Sequence, residues 1–282
     1  MTGRSTIPTV IDSDNALGSA NQKFFGGDVD DAFALAFLLK SKLHIHKLLS
    51  VDGNAKADIC HKNNLEIRRL VDSNVECQQG HAASSSLPTD STYLALGPLT
   101  NLSYYLNQGY MPDCVWLTLG RITTMGNFPP FWPVEFNLTK DFVAARHVLS
   151  SPCKKIVVPL DVAYNLKTPA NLKVELVKST VGIYLWSHLQ RWRWRSLLLK
   201  GRLSFPVWDL VSAVAQVNPE IVTLKKATGY LFANGLFLCD ADGNRASYHR
   251  REKAILSVEI DLVVDINVEA IWELFFKMLR IP

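Results

Sequence analysis

Read as alternating apolar and polar positions, the chain opens with a short apolar strand, Thr9-Val10-Ile11, that stops at Asp12. The run Ala32 to Lys40 has the length and composition of a buried helix, and His44 to Val51 returns to a strand ending at Asp52-Gly53-Asn54. Asp58 to Val71 then shows helical spacing, with Ile59, Leu65, Ile67 and Leu70 on one face. The same alternation continues through strands at Thr92–Leu96, Val115–Leu119 and Ile156–Leu160. The helices between and after them lie at Leu99–Asn107 and Asp141–Leu149. Strand followed by helix, repeated, predicts a parallel sheet with helices packed on it. Gly120 to Asn137, with Pro129, Pro130 and Pro133, reads as a long irregular loop.

Leu172 to Leu199 is predominantly helical, Pro206 to Val217 forms another helix, and Ile266 to Leu279 a terminal amphipathic one. Residues 221 to 265 read as strands and turns, with Asp240-Ala241-Asp242-Gly243-Asn244 as a hairpin tip. The expected fold class is α/β: an open, mainly parallel sheet flanked by helices around a Rossmann-like core. In such a sheet the strand ends converge on one crevice, where ligands bind. The polar strand ends here are Asp12/Asp14, Asp52/Asn54, Gly97–Thr100, the loop around Met125, and Asp161.

Length and composition change this picture little. At 282 residues and 48% hydrophobic content, one domain spanning 1–282 is expected, with 172–205 as a variable helical segment over the pocket. The formal charge of +4 is too small to imply nucleic acid or a membrane as partner. Five scattered cysteines without a CxxC pair indicate neither a zinc site nor a disulfide framework. With no apolar leader-like run in Met1–Pro8 and no long uncharged apolar segment, a soluble, cytoplasmic protein is expected.

Candidate chemistry changes it more. Asp12, Asp14, Asp28, Asp30 and Asp31 fall between the first strand and the first helix. Like charges brought together repel and raise one another's pKa, so a hard divalent cation is the natural companion, against the plainer reading of a solvated acidic loop. A phosphatase-type DxD site is a poorer match, since nothing downstream supplies the lysine and second acidic pair it would need.

Taken with Gly53-Asn54, Gly97-Pro98-Leu99-Thr100-Asn101, Met125-Gly126, Glu135-Phe136-Asn137 and Trp208-Asp209, in that order, the acidic stretch resembles the inosine–uridine nucleoside hydrolase family. The family hallmark is DTDxGxDD, and here an interval from Asn15 to Gly27 separates its halves, so either Asn15 or Asp28 fills the intermediate position.

The resemblance implies a Ca²⁺-dependent N-ribohydrolase of purine salvage. Carried over by position, it makes Asp14 metal ligand and general base, Asp31 and Asp209 metal ligands, and Thr100 a ligand through its backbone carbonyl. Asp30, Asn54, Asn127, Glu135 and Asn137 would hold the ribose. Trp208, where pyrimidine-tolerant relatives have a histidine, would stack on the base and implies inosine, adenosine or guanosine as substrate. A homo-oligomer is implied as well. The rival from another class is a family fold that binds a nucleoside without turnover. The segment between Gly80 and Leu94 is short, so a loop that commonly covers the base is expected to be missing. His81 and His188 are candidate proton donors to the base, each against a surface or core reading. Trp186–Arg195 reads as an amphipathic helix, a pocket wall or, least favoured, a nucleic-acid surface.

Overall fold

A computed structural model describes residues 7–17, 28–81, 86–124, 126–127, 134–200, 207–243 and 253–281. Most of the interval Asn15–Gly27 between the halves of the hallmark therefore lies outside the described residues, as do Met125, the three prolines of the long loop, 201–205 and Asn244.

The first part of the chain alternates as expected: β1 (Thr9–Ser13), α1 (Asp30–Lys40), β2 (Ile45–Ser50), α2 (Ala57–Leu70), β3 (Cys77–Gln79), β4 (Thr92–Ala95), α3 (Thr100–Asn107) and β5 (Cys114–Thr118). Then follow α4 (Phe136–Lys140), α5 (Phe142–Ser150), β6 (Lys154–Val158), α6 (Leu160–Ala163), α7 (Leu172–Leu176), α8 (Thr180–Lys200) and α9 (Trp208–Val217). The last elements are β7 (Val222–Leu231), β8 (Phe237–Asp240), β9 (Leu256–Ile266) and α10 (Val268–Leu279). They form one nine-stranded sheet in the order β3-β2-β1-β4-β5-β6-β9-β7-β8. Every pairing from β3 to β9 is parallel, and β7 pairs antiparallel with both β9 and β8. The mainly parallel α/β sheet is thus as the periodicity predicts.

Each central strand sends alternate side chains to opposite faces, so both faces need cover. Ile11, Leu48, Leu94 and Val263 face a core built with α1, α9 and α10, whereas Val10, Leu49, Tyr93 and Leu262 face one built with α3 and α5. Ten of the eleven residues of α1 are buried, which is why its sequence is apolar all round apart from its ends.

The structure differs from the expected elements in four places. Cys77–Gln79, where the pattern predicts no element, supplies the short edge strand β3. The chain turns helical at Phe136, before the expected loop ends, because the Glu135 carboxylate caps α4. The hairpin tip is not at Asp240–Asn244. β7 and β8 are joined through Phe232–Leu236, where Asn234-Gly235 makes the turn with Gly235 at φ 85°, and β9 pairs with β7 rather than β8. The helical reading of 172–199 is interrupted between α7 and α8.

Candidate active site

At the carboxyl ends of the parallel strands, order 2-1-4-5 places a topological switch between β1 and β4. β1 delivers Asp12 and Ser13 there, with Asp14 just beyond, and the first turns of α1 and α9 deliver Asp30, Asp31 and Asp209. One oxygen each from Asp30, Asp31 and Asp209 lies within 4.8 Å of the others, and all three residues are buried. Helix N-termini carry partial positive charge, which offsets part of the repulsion.

Asp14 is held in a narrow slot. Its Oδ2 accepts the Asn54 backbone N–H at 2.6 Å. A Cβ on Gly53 would lie 2.0 Å from that oxygen, and one on Gly97 2.8 Å from Oδ1. The Gly53-Asn54 and Gly97-Pro98 landmarks are therefore walls of the slot, and their glycines are required by the approach of a carboxylate. Asp31 Oδ1 accepts the Ser13 hydroxyl at 2.6 Å, while its Oδ2 is buried without a hydrogen-bond partner among the described residues.

Burial, then mutual repulsion, pushes the pKa of Asp14, Asp30 and Asp209 well above the usual carboxylate range. Asp31 is raised by burial to about 7, with the Ser13 hydroxyl opposing the shift. Among the described residues, no lysine or arginine forms an ion pair with Asp14, Asp30, Asp31 or Asp209. Oxygen-only donors, the close approach of three carboxylates and the unpartnered Asp31 Oδ2 together fit a hard divalent cation.

The other predicted residues make the following contacts. Glu135 caps α4, accepting the N–H of Asn137 and of Leu138 at 2.9 Å each; burial raises its pKa to about 7 despite those bonds. Its charge also acts on Asp209. Asn137 Nδ2 bridges the Leu96 carbonyl at 3.0 Å and the Thr118 carbonyl at 3.1 Å, tying the ends of β4 and β5. Asn127 Oδ1 accepts the Phe136 N–H. Thr100 opens α3, and its hydroxyl donates to Asp141 at 2.7 Å. Trp208 packs edge-on against Tyr164 at 5.6 Å, and its buried indole N–H has no partner among the described residues.

The two histidines singled out as candidate proton donors differ in their surroundings. His188 is buried on α8 over Tyr184, its pKa lowered to about 4 by burial and by Arg191, so it is neutral. His81 stacks on Tyr104 and hydrogen-bonds Asn101. Of the Trp186–Arg195 run, Trp186 and Trp192 pack on the core, whereas Trp194 is exposed and departs from the inward packing an amphipathic helix would give.

Sequence reasoning gave no role to Asp12, Tyr93, Ser13 or Asn101, all buried at this edge. Asp161 was noted only as a polar strand end. Its carboxylate accepts Ile122 N–H, Thr123 N–H and hydroxyl, and Thr124 N–H at 2.6–2.9 Å, fixing the start of the loop toward Asn127. The hidden signals were the first Asp of the DxD pair and the last residue of the Gly97–Asn101 landmark.

Among the described residues, no helix is long and apolar enough to cross a membrane. The chain is 24% identical to the non-specific ribonucleoside hydrolase RihC of Salmonella schwarzengrund, over 83% of this chain and 91% of that one. Its fold is similar to that of a plant nucleoside hydrolase (TM-score 0.76, 19% identity, 99% of this chain and 100% of that one). It is also similar to a purine-preferring ribonucleoside hydrolase from Gardnerella vaginalis (TM-score 0.75, 17% identity, 97% and 98%). At such identities the two structures speak for the fold alone. The model of the inosine-uridine preferring nucleoside hydrolases matches residues 79–273, well over half the chain. With the acidic switch-point crevice built as above, this chain belongs to that family of hydrolases acting on nucleosides.

Proposed function

We propose that this protein hydrolyses the N-glycosidic bond of ribonucleosides, purine nucleosides foremost, with Ca²⁺ held by Asp31 and Asp209 beside Asp14 and the Thr100 carbonyl. The observation that carries the reading is the convergence of buried Asp30, Asp31 and Asp209 within 4.8 Å, with Asp31 Oδ2 unpartnered. Calcium, when bound, offsets the clustered negative charge and lowers the pKa of water at the site.

The rest is the work of the chain's own residues. Asp14, fixed in its slot by the Asn54 N–H, accepts a proton from the attacking water. The water oxygen bonds to C1′ of the ribose as the C1′–N bond breaks, the electron pair leaves with the base, and the base nitrogen takes a proton from solvent. Ribose and free base are the products. Positive charge developing on the ribose is stabilised by the surrounding carboxylates and amide oxygens of Asp30, Glu135, Asn127 and Asn137, with Asn54 at the hydroxyl edge. Trp208 stacks on the departing base, and that flat apolar surface suits a purine.

Incubation of the protein and calcium with inosine, guanosine, adenosine and uridine, with released ribose measured, tests the reading. Release is expected, faster from the purine nucleosides and abolished by a chelator. Binding of a nucleoside without release from any of the four would contradict it and identify a binding protein without turnover.

A further inference from the structure

Asp14 can act only if the walls of its slot stay where they are, and those walls belong to different crossovers. Gly53 follows β2 and Gly97 follows β4, and both stand within van der Waals overlap of any Cβ and the Asp14 carboxylate. Backbone pairing supports them up to the strand ends: Leu96 N–H donates to the Asp12 carbonyl, Val51 N–H to the Ser13 carbonyl, and Gly80 N–H to the Ser50 carbonyl. Beyond those bonds the ladders stop.

Side chains continue the cross-links: Asn64 donates to Ser50 Oγ and accepts from Asn15 Nδ2, and a second amide reaches further. Asn101, 2% exposed in the first turn of α3, donates from Nδ2 to Asp12 Oδ1 at 3.0 Å and to the Ser50 carbonyl at 3.2 Å. Its Oδ1 meets His81 Nδ1 at 3.3 Å, and the His81 ring stacks on Tyr104 at 3.9 Å. Asp12 Oδ2 accepts the hydroxyl of Tyr93, which is fully buried, at 2.8 Å. A primary amide has two N–H donors and an acceptor oxygen, and here they reach Asp12 in β1, the last residue of β2 and His81 just beyond β3. Neither Asp12 nor Asn101 is a ligand in the reading above, and neither reaches the reacting atoms.

We propose that Asn101, with Asp12 and Tyr93, is a positioning unit that sets the width of the Asp14 slot by clamping the ends of β1 and β2. The inference rests on the calcium-dependent reading of the site. Removing the amide leaves a fully buried Asp12 oxygen without its donor, a cost relieved by letting the strand ends part. Asp14 then moves relative to Asp31 and Asp209, and displacements of about 1 Å at such sites cost about 100-fold in rate.

The test is calcium titrated into chelator-stripped protein by calorimetry, alongside kcat and KM for inosine, in Asn101→Asp, Tyr93→Phe and the reciprocal double variant D12N/N101D. Asn101→Asp sets two carboxylates face to face. It is expected to lower calcium affinity and kcat by about 10- to 100-fold while KM changes far less. The double variant again places a donor against an acceptor and is expected to recover a large part of both losses. Tyr93→Phe, which removes one hydroxyl and leaves packing intact, should show a smaller fall in the same direction and carries the test if Asn101→Asp fails to fold. Wild-type calcium affinity and kcat in the folded variants, or a double variant no better than Asn101→Asp, would overturn the proposal. If the wild-type protein itself takes up no calcium, the reading of the site fails instead.

Discussion

Acidic residues in two places in the fold, one on a strand and three at helix starts, are treated oppositely. Asp261, on β9 near the antiparallel extension, is approached by Lys226 at 2.7 Å and Lys154 at 3.4 Å. Burial pushes its pKa up, but the two lysines outweigh this and hold it below its usual value. At the carboxyl edge of the parallel half, Asp30, Asp31 and Asp209 are buried together with no lysine or arginine of the described chain paired to them, and all three are pushed upward. Where the fold wants a carboxylate for stability, it supplies the cation itself. Where it leaves three without one, the carboxylates either stay protonated or take a cation from outside, and the proposed calcium site rests on the second.

The contrast can be broken from either side. The largest effect is expected from Asp209→Asn, which removes one carboxylate from the cluster: nucleoside turnover should fall roughly 1,000-fold, about 4 kcal/mol of transition-state stabilisation. A fall of less than about fivefold in initial rate would mean that Asp209 is not in the machinery. Gly53→Ala comes next, since its Cβ would sit 2.0 Å from Asp14 Oδ2; a loss of about 100-fold in kcat is expected, with helix content by circular dichroism unchanged.

Trp208→Ala should slow inosine about tenfold more than a nitrophenyl riboside, whose leaving group needs no help. Equal losses would reduce Trp208 to packing against Tyr164.

Stability against pH sharpens the same comparison. In chelator, Asp12, Asp31 and Glu135 carry pKa values of about 7, above those of the unfolded chain. A raised carboxylate pKa means that the folded state holds protons more tightly. That contribution is fully present below about pH 4 and is lost as pH rises through 7. The melting temperature in chelator should therefore fall between pH 5 and about 8, and saturating calcium should remove much of the fall; parallel curves with and without calcium would contradict this. The smallest effect belongs to Asp261→Asn, with its lysines exposed: about 1 kcal/mol or less of stability by denaturant melts, and no change in turnover.

The ring of local features was legible in the sequence because each is carried by a few adjacent residues. Asp30-Asp31 open an apolar helix, Trp208-Asp209 open another, and Gly53 and Gly97 follow strands; periodicity places the strand ends at one edge, and the order of motifs in the family resemblance adds the two helix starts. The contacts that hold the edge together were not legible. Tyr93 meets Asp12 across 81 residues and Asn101 meets it across 89, and no local pattern announces a hydrogen bond of that span. Glu135 shows the intermediate case: its place in the site followed from the order of motifs, but its capping of α4 depended on a helix too short to show a period. The misplaced hairpin has a different cause. Two turn signals, Asn234-Gly235 and Asp242-Gly243, compete within ten residues, and only strand pairing decides between them. The family match covers 79–273 and so leaves out the acidic opening, whose halves lie far apart in sequence. Geometry, through α1 packed along α9, is what returns Asp30 and Asp31 to Asp209.

The central claim is that these buried carboxylates are a cation site. Calorimetric titration of calcium into the chelator-stripped wild-type protein tests it most directly. The account predicts one calcium per chain, bound with release of protons at pH 6 to 7 as the raised carboxylates ionise, and the same titration of Asp209→Asn giving little or no heat. No calcium uptake by the wild-type protein, or equal uptake by Asp209→Asn, would contradict it.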